Sequence, residues 1–218
     1  YTILGTEAEG LVEFTIDYND LSYNPGVQVT ATTTGTNVII NNTIPVLPTV
    51  SISSNNSLET SRARVGNIVS VVFTSDKGLK DVSVSIDSKA ATVTADAAGT
   101  SWTATYVMLN TDIEGYIPIN ISFTDSTGNP GIPVTATTDG SKVRFDRTLP
   151  TLNPVSISSN NANNQRAKEN DIVTISFTSS EGIRDVIAQI GGQTATLNND
   201  ITGKIWTASY TMLNTDNE

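Results

Sequence analysis

The chain repeats itself with a period of 105 residues, and this repeat restricts the possible folds more than any other feature. The stretch TIPVLPTVSISSNN at 43–56 returns as TLPTLNPVSISSNN at 148–161. The stretch YVMLNTDIEG at 106–115 has an upstream counterpart, YTILGTEAEG at 1–10, and a downstream counterpart, YTMLNTDNE at 210–218. Tandem arrays of similar modules are typical of elongated proteins, so the repeat favours a fibre or stalk.

Composition narrows the classes of partner. The 218 residues carry a net charge of −10, which argues against nucleic acid and against anionic membrane surfaces, because both require basic patches. No apolar run approaches the length of a membrane span, so we expect no membrane insertion. The chain has no cysteine and no histidine, and the absence of cysteine excludes disulfides and thiolate sites. This composition fits a bacterial surface protein whose fold is stable without disulfides.

Apolar and polar residues alternate along most of the chain, as in β-strands with one buried and one solvated face. The pattern predicts seven strands per repeat, near 49–54, 67–75, 81–87, 91–95, 101–108, 116–124 and 131–146, the last broken at Asp139-Gly140. Seven short strands in about 100 residues indicate an all-β protein built from tandem immunoglobulin-like antiparallel β-sandwich modules.

This register divides the chain into three parts. Residues 1–45 are predicted to be the C-terminal part of one module, 46–149 a complete module, and 150–218 the N-terminal part of the next. Prolines at both junctions stiffen the linkers. Neither partial module has enough strands to bury its apolar face. We therefore expect each to be completed by further chain or by a neighbouring molecule through strand addition.

Several motifs recur between copies, among them VSISSNN, GxxDV and WTAxYxMLNTD, and the second copy also carries DSTGNPGIPVTATTDG. With these motifs the whole chain resembles the tandem immunoglobulin-like repeats of giant bacterial surface adhesins, such as those of gliding Bacteroidetes. The resemblance implies an extracellular stalk on the bacterial cell surface that carries a binding tip. Its partners would be neighbouring repeats of the same or an identical chain, and the surface ligand would be bound elsewhere in the full-length protein.

Many relatives of that kind bind calcium where two modules meet, so the acids near the second junction are candidate ligands. The candidates are Asp112, Glu114, Asp146 and Glu181, since carboxylates on converging loops suit a hard cation. The alternative is that Asp112, Asp125 and Asp146 are ordinary turn formers and caps. The first junction is the poorer candidate, because Asn41 stands in the place of Asp146, and Lys77 in the place of Glu181.

Catalysis has little support in this sequence. Without histidine or cysteine the usual general base and thiol nucleophile are missing, although a pair of carboxylates remains open. Acids such as Asp20 and Asp125 recur with the module and are predicted to cap loops, as Asp81 and Asp185 are predicted to close turns. The repeated acids are not distributed like a single active site. We therefore expect a structural protein and not an enzyme.

Two other functions remain open. The modules could bind a ligand such as a glycan as accessory domains of a secreted protein, which predicts an exposed aromatic cluster. Trp102 and Trp206 lie in alternating strands and are predicted to be core residues instead. Alternatively, molecules could join head to tail by strand exchange and form a filament.

Overall fold

The computed structural model describes residues 1–216, and the last two residues of the third copy, Asn217 and Glu218, lie outside this range. The described residues form strands, turns and irregular segments but no helix, and so they contain no helix that could span a membrane. The chain is therefore all-β, as predicted. It divides into two compact units, Tyr1–Arg147 and a C-terminal unit from Thr148 on. The further division predicted at residue 45 stays a prediction.

The first unit contains twelve of the strands. In the N-terminal segment, residues 1–45, they are β1 (Gly10–Leu11) and β2 (Ile39–Ile40). In residues 46–147, the central module, they are β3 (Thr49–Ser54), β4 (Arg62–Ala63), β5 (Ile68–Thr74), β6 (Leu79–Ile86), β7 (Lys89–Ala90), β8 (Thr92–Ala95), β9 (Ser101–Val107), β10 (Gly115–Tyr116), β11 (Ile119–Asp125) and β12 (Arg144–Phe145).

The strands of the central module enclose one apolar core. A four-stranded antiparallel sheet has the order β3-β5-β9-β8, and a second sheet has the order β11-β6-β7. Inward residues of the first sheet, such as Val71 and Phe73, belong to the same buried cluster as Ile86 and Ile121 of the second. This arrangement is consistent with a β-sandwich, with alternate side chains facing the shared core.

Six of the seven strands predicted for this module are confirmed, and the seventh is wrong. Within 131–146 the only ladder strand is β12, which pairs in parallel with β4 and antiparallel with β10, and Val134 makes a single isolated bridge to Ile121 of β11. Pro130 and Pro133 supply no N–H for a ladder. Main-chain groups of β3 bond instead to side-chain hydroxyls, with Val50 N donating to Thr138 Oγ1 at 2.9 Å and Ile52 N donating to Ser141 Oγ at 2.9 Å.

The C-terminal unit repeats the first half of the central module. Its strands are β13 (Leu152–Ser159), β14 (Ile172–Ser179), β15 (Gln189–Ile190), β16 (Gln193–Thr194), β17 (Thr196–Asn199) and β18 (Ile205–Thr211). The sheet order β13-β14-β18-β17 matches the order β3-β5-β9-β8. Counterparts from Ala167 on differ by 104 in number, because one residue is deleted between Asn161 and Ala167.

Both tryptophans pack inward, as predicted, with Trp206 buried and Trp102 partly buried against the core of the central module. The ring of Trp102 stacks on Phe73 with centroids 6.1 Å apart, and Trp206 stacks on Phe177 with centroids 6.3 Å apart. Each indole N–H donates to a turn carbonyl, Gly99 O at 3.0 Å and Gly203 O at 2.8 Å respectively. Neither ring is therefore available as an exposed platform for a sugar.

Asp81 does not close a turn before a strand, because it lies inside β6 with a φ of 49°, where the pairing with β11 shifts register. Asp185 lies at a bend ahead of β15, with a φ of 55°. Thr124 Oγ1 donates to Asp81 Oδ2 at 3.1 Å. Aspartate tolerates the left-handed conformation better than most residues, which suits it to such an irregularity.

Candidate functional site

The candidate site is the joint between the N-terminal segment and the central module. The side-chain amide of Asn41 donates from Nδ2 to Asp125 Oδ2 at 3.0 Å and to Thr127 Oγ1 at 3.0 Å. Asn129 returns a bond from its Nδ2 to the main-chain carbonyl of Asn41 at 2.8 Å. Because these bonds link positions more than 80 residues apart, they attach the end of one repeat to a loop of the next.

The loop that receives Asn41 is organised by Asp125, a buried carboxylate at the end of β11. Its Oδ1 accepts the main-chain N–H groups of Thr127 and Asn129, both at 2.9 Å, and Asn129 Nδ2 donates to Oδ2 at 3.1 Å. Burial opposes ionisation, but the bonds from Asn129, Thr127 and Asn41 outweigh it and lower the pKa of Asp125. The loop thus presents a charged acceptor to the linker. The prediction that Asp125 caps its loop is confirmed.

Asp20 makes the equivalent loop in the N-terminal segment. It accepts the N–H groups of Ser22 and Asn24 at 2.8 and 2.9 Å, and the Asn24 side chain at 2.8 Å. These bonds lower the pKa of Asp20, the Asn24 side chain having the largest effect. Asp20 is exposed, whereas Asp125 is buried. The loop geometry therefore recurs in both repeats, whereas the carboxylate is buried only at the joint with Asn41.

The linker is held at further points beyond Asn41. Lys77 Nζ donates to the main-chain oxygen of Thr43 at 3.0 Å. Val46 N donates to Asp76 Oδ1 at 2.9 Å, and Asp76 N donates back to Val46 O at 3.2 Å. Pro45 between them is fully buried. A buried proline with bonds on both sides leaves the linker few free dihedral angles, so the joint is restrained.

A glutamate fastens the linker to the segment that precedes it. Glu9 Oε1 accepts Asn42 N at 2.8 Å and Thr43 Oγ1 at 2.5 Å. The Thr43 hydroxyl is the main cause that lowers the pKa of Glu9. One repeat later, Glu114 Oε1 accepts Arg147 N at 2.9 Å, and the guanidinium of Arg147 lies 4.0 Å away. The same acid position therefore holds the start of both linkers.

A second acid position closes the preceding loop in all three copies. In the central module Tyr106 OH donates to Asp112 Oδ1 at 3.1 Å and Leu109 N donates to Oδ2 at 2.7 Å. Asp216 receives the same two bonds from Tyr210 and Leu213, at 3.3 and 2.7 Å. In the first copy Tyr1 OH donates to Glu7 at 2.6 Å, a bond that contributes most to lowering the pKa of Glu7 to about 2. Each loop is thus locked by a tyrosine and an acid.

The structure shows the surroundings of each of the four predicted calcium ligands. Asp112 is buried and bonded as described, so the alternative interpretation of Asp112 as a turn cap is confirmed. Glu114 lies beside Arg147, and the main-chain N–H of Asp146 donates to Ala63 O at 2.9 Å. Glu181 belongs to the C-terminal unit, where its Oε1 is buried without a hydrogen-bond partner. No group of three or more acidic side chains suited to a metal occurs within residues 1–216, and calcium stays a prediction.

Sequence reasoning missed Asn41 as a functional residue and treated it only as a defect in a calcium site. A usable signal was present, because Asn41 replaces an acid at a repeat position, opposite an acid in the following loop. An amide can donate to a carboxylate, whereas a second carboxylate cannot.

Comparison of the chain with protein-family models, with curated proteins and with solved structures gives no match in any of the three.

Proposed function

We propose that this chain is part of the structural stalk of a bacterial cell-surface adhesin, an extracellular array of tandem immunoglobulin-like modules that carries a distal binding tip. The observation that carries the proposal is the restrained joint. Asn41 is bonded to Asp125 and Thr127 of the following module, and Pro45 of the same linker is buried. A freely jointed string of modules would not need such contacts, whereas an extended stalk does.

The acidic surface is compatible with this role. A net charge of −10 favours solubility and repulsion between neighbouring stalks. The role requires no catalytic residue, and the recurring acids at Asp112, Asp125 and Glu114 act in loops and linkers. We propose no enzymatic activity for the chain.

Electron microscopy of the native material, labelled with an antibody raised against the central module, tests the proposal. A stalk should appear as a filament with a regular axial repeat on the order of 40 Å, because strands of about ten residues at about 3.3 Å per residue set most of a module's length. Labelled compact particles without a repeat would refute it. They would favour the accessory-domain alternative, and glycan-array binding would then be the next measurement.

A further inference from the structure

The central module carries a group of basic side chains on one exposed face, although the chain as a whole has a net charge of −10. Four of the 12 lysine and arginine residues lie there, and a tyrosine lies among them. This group is called the basic face, and it consists of Arg62, Arg64, Tyr116, Lys142 and Arg144. All five side chains are exposed, and within residues 1–216 none of the four cations forms a salt bridge. Their charge is therefore available to a partner.

The three-stranded sheet β10-β12-β4 brings these side chains together. Arg144 of β12 is paired with Tyr116 of β10 on one side and with Arg62 of β4 on the other. Paired residues project from the same face of a sheet, and adjacent strands lie about 4.8 Å apart, so the three side chains leave the sheet within about 10 Å of one another. The opposite face is apolar, because Ala63 and Phe145 are buried. The cations therefore project into solvent.

Lys142 and Arg64 extend the basic face along the strands. Each lies two positions from a neighbour on the face, Arg144 or Arg62, and so projects to the same side. The ammonium group of Lys142 lies over the ring of Tyr116, with Nζ 5.8 Å from the ring centroid. An aromatic ring attracts a cation at this distance. The ring therefore keeps Lys142 close to Arg144.

Two acids border the basic face without neutralising it. Glu114 and Asp146 lie at its end nearest the linker, and Glu114 accepts Arg147 N at 2.9 Å with the guanidinium 4.0 Å away. The four cations of the face, together with Arg147, outnumber these two acids. Charges are screened beyond about 8 Å at physiological ionic strength. An anion at the face therefore responds mainly to this local excess of positive charge and little to acids elsewhere.

The charges of β10 and β12 belong to the central module and are not needed by the repeat. In the first copy the counterparts are neutral, with Leu11, Asn37 and Ile39 in the positions of Tyr116, Lys142 and Arg144. The strand pair still forms there, because β1 pairs with β2 in the register of β10 with β12. Since the pairing does not require the charges, they point to recognition of a ligand.

The joint between modules leaves this face open. In the N-terminal segment, which is followed by the complete central module, Leu11 is 57% exposed and Ile39 is 68% exposed. These are the positions that Tyr116 and Arg144 occupy one repeat later. A following module that docks as the central module docks on the N-terminal segment therefore leaves both positions accessible.

A cavity of about 330 Å³ adjoins the basic face and shares Tyr116 and Lys142 with it. Its other walls combine apolar groups with hydroxyls and include Pro118, Ile119, Thr135 and Ser141. The volume lies within the range of small-molecule sites, about 300–1,000 Å³. A sugar ring suits such a lining, because it presents C–H groups on its faces and hydroxyls at its edge, and protein hydroxyls can donate to these or accept from them.

We propose that the basic face and the adjoining cavity bind an acidic polysaccharide, in which sugar units carry carboxylate or sulfate groups. The guanidinium groups of Arg62 and Arg144 are suited to paired hydrogen bonds with these anions, and Lys142 supplies a further charge. A sugar ring lies in the cavity against Tyr116. The inference goes beyond the proposed stalk function, because it gives the side of a stalk module a ligand of its own.

Isothermal titration calorimetry of the 218-residue chain tests the proposal. The probes are polygalacturonate, dextran sulfate, neutral dextran and a single-stranded oligodeoxynucleotide. At least one of the two acidic polysaccharides should bind, more weakly as salt is added, and neutral dextran should not. The acidic polymer that binds more tightly shows whether the site prefers carboxylate or sulfate. No binding of either one would overturn the proposal, as would an oligodeoxynucleotide that binds at least as tightly.

Two pairs of substitutions separate the basic face from the overall charge. Lys142→Asn combined with Arg144→Ile introduces the residues of the first copy and should weaken binding about tenfold or more, because charge-assisted hydrogen bonds are lost. Lys80→Gln combined with Lys204→Gln is the matched control, since it removes the same charge elsewhere and should bind like the parent chain. Circular dichroism of both variants should match the parent, because all four side chains are exposed. Equal losses of affinity in the two variants would overturn the proposal.

The role of the cavity is tested at Tyr116. Tyr116→Leu introduces the residue of the first copy and should weaken binding about threefold to tenfold, because the aromatic contact with the sugar ring is lost. Its salt dependence should remain that of the parent, since no charge is removed, and Tyr116→Phe should bind like the parent. Unchanged affinity of Tyr116→Leu would overturn the placement of the sugar ring. The axial-repeat test of the stalk requires no ligand, so the two proposals fail independently.

Discussion

The side-chain amide of Asn41 donates a hydrogen bond of 3.0 Å to the buried carboxylate of Asp125, which lies 84 residues further along the chain. This bond joins the last residues of one repeat to a loop of the next. Because Asp125 also accepts two main-chain N–H groups of its own loop, one carboxylate maintains both the loop and the joint. Its replacement should therefore affect the stability of the central module.

Asp125→Ala should lower the free energy of unfolding of the central module by about 2 kcal/mol, because the substitution leaves several donors without their acceptor. Unfolding can be followed in urea by the fluorescence of Trp102, after Trp206→Phe has removed the other tryptophan. Asp20→Ala is the matched control, since Asp20 makes the same loop bonds in the N-terminal segment. Equal effects of the two substitutions on the Trp102 transition would contradict this prediction.

Lowering the pH should reduce the stability of the central module, in part because Asp125 becomes protonated. Its pKa in the folded state is lowered, below about 3.9 for an unfolded aspartate, so its stabilising contribution is complete above about pH 4. The contribution is lost as pH falls through the folded-state pKa. Urea unfolding at a series of pH values should show this decline, and Asp125→Asn should make it shallower. An unchanged slope would show that other carboxylates account for it.

Tyr106→Phe should destabilise the central module by about 1 kcal/mol, because it removes the phenol that donates to the buried carboxylate of Asp112. Burial, with the bond to Asp112, raises the pKa of Tyr106. This contribution is therefore complete below the unfolded pKa of about 10 and is lost as pH rises through the folded value. Urea unfolding at neutral pH measures the first effect. Tyr1→Phe serves as control and should leave the Trp102 transition unchanged.

Ser88→Gly should stabilise the central module by about 0.5–1 kcal/mol. Asp87 and Ser88 form the two-residue turn between β6 and β7 with φ values of 52° and 61°, which cost a non-glycine residue about 1–2 kcal/mol each. Glycine avoids this cost but loses more conformational entropy on folding. The C-terminal unit already has Gly191 and Gly192 at these positions. The converse substitution Gly192→Ser should destabilise that unit, as reported by Trp206.

Calcium binding at Asp112, Glu114, Asp146 and Glu181 remains a prediction from the sequence. If it occurs, millimolar calcium should raise the midpoint of thermal unfolding, and a chelator should reverse the change. Glu114→Gln combined with Asp146→Asn should abolish the response, whereas Asp76→Asn should retain it. A melting curve that calcium does not alter would remove the prediction, and it would agree with a structural role for Glu114 beside Arg147.

The sequence predicted strands well wherever alternation was uninterrupted. β3 lies at 49–54, as expected, and the cores of β5 and β9 lie within their predicted ranges. The segment 131–146 failed because prolines interrupt it and because the hydroxyls of Thr138 and Ser141 take over bonds that a backbone ladder would make. Hydrogen bonds to side-chain hydroxyls that take the place of backbone pairing leave no periodic signal in a sequence.

The joint was only partly predictable. Asp125 could be recognised as a loop former, because aspartate followed by a turn sequence has known local geometry. Its bond to Asn41 depends on tertiary placement over 84 residues, which local propensity does not encode. The four predicted calcium ligands illustrate the same limit, because Asp112 and Glu114 have partners within their own loop and linker.

The bonds between β3 and residues 138–141 have a consequence for a module under tension. Residue numbers increase together along both partners, from Val50 with Thr138 to Ile52 with Ser141, so the first and last parts of the module run in the same direction. A pull that separates the two ends of the module therefore slides these partners past each other and strains their bonds together, whereas peeling would break them one at a time. The rate of forced unfolding depends on the height of the unfolding barrier. Loading these bonds together raises that barrier, so this geometry favours mechanical resistance when the module is pulled from its two ends.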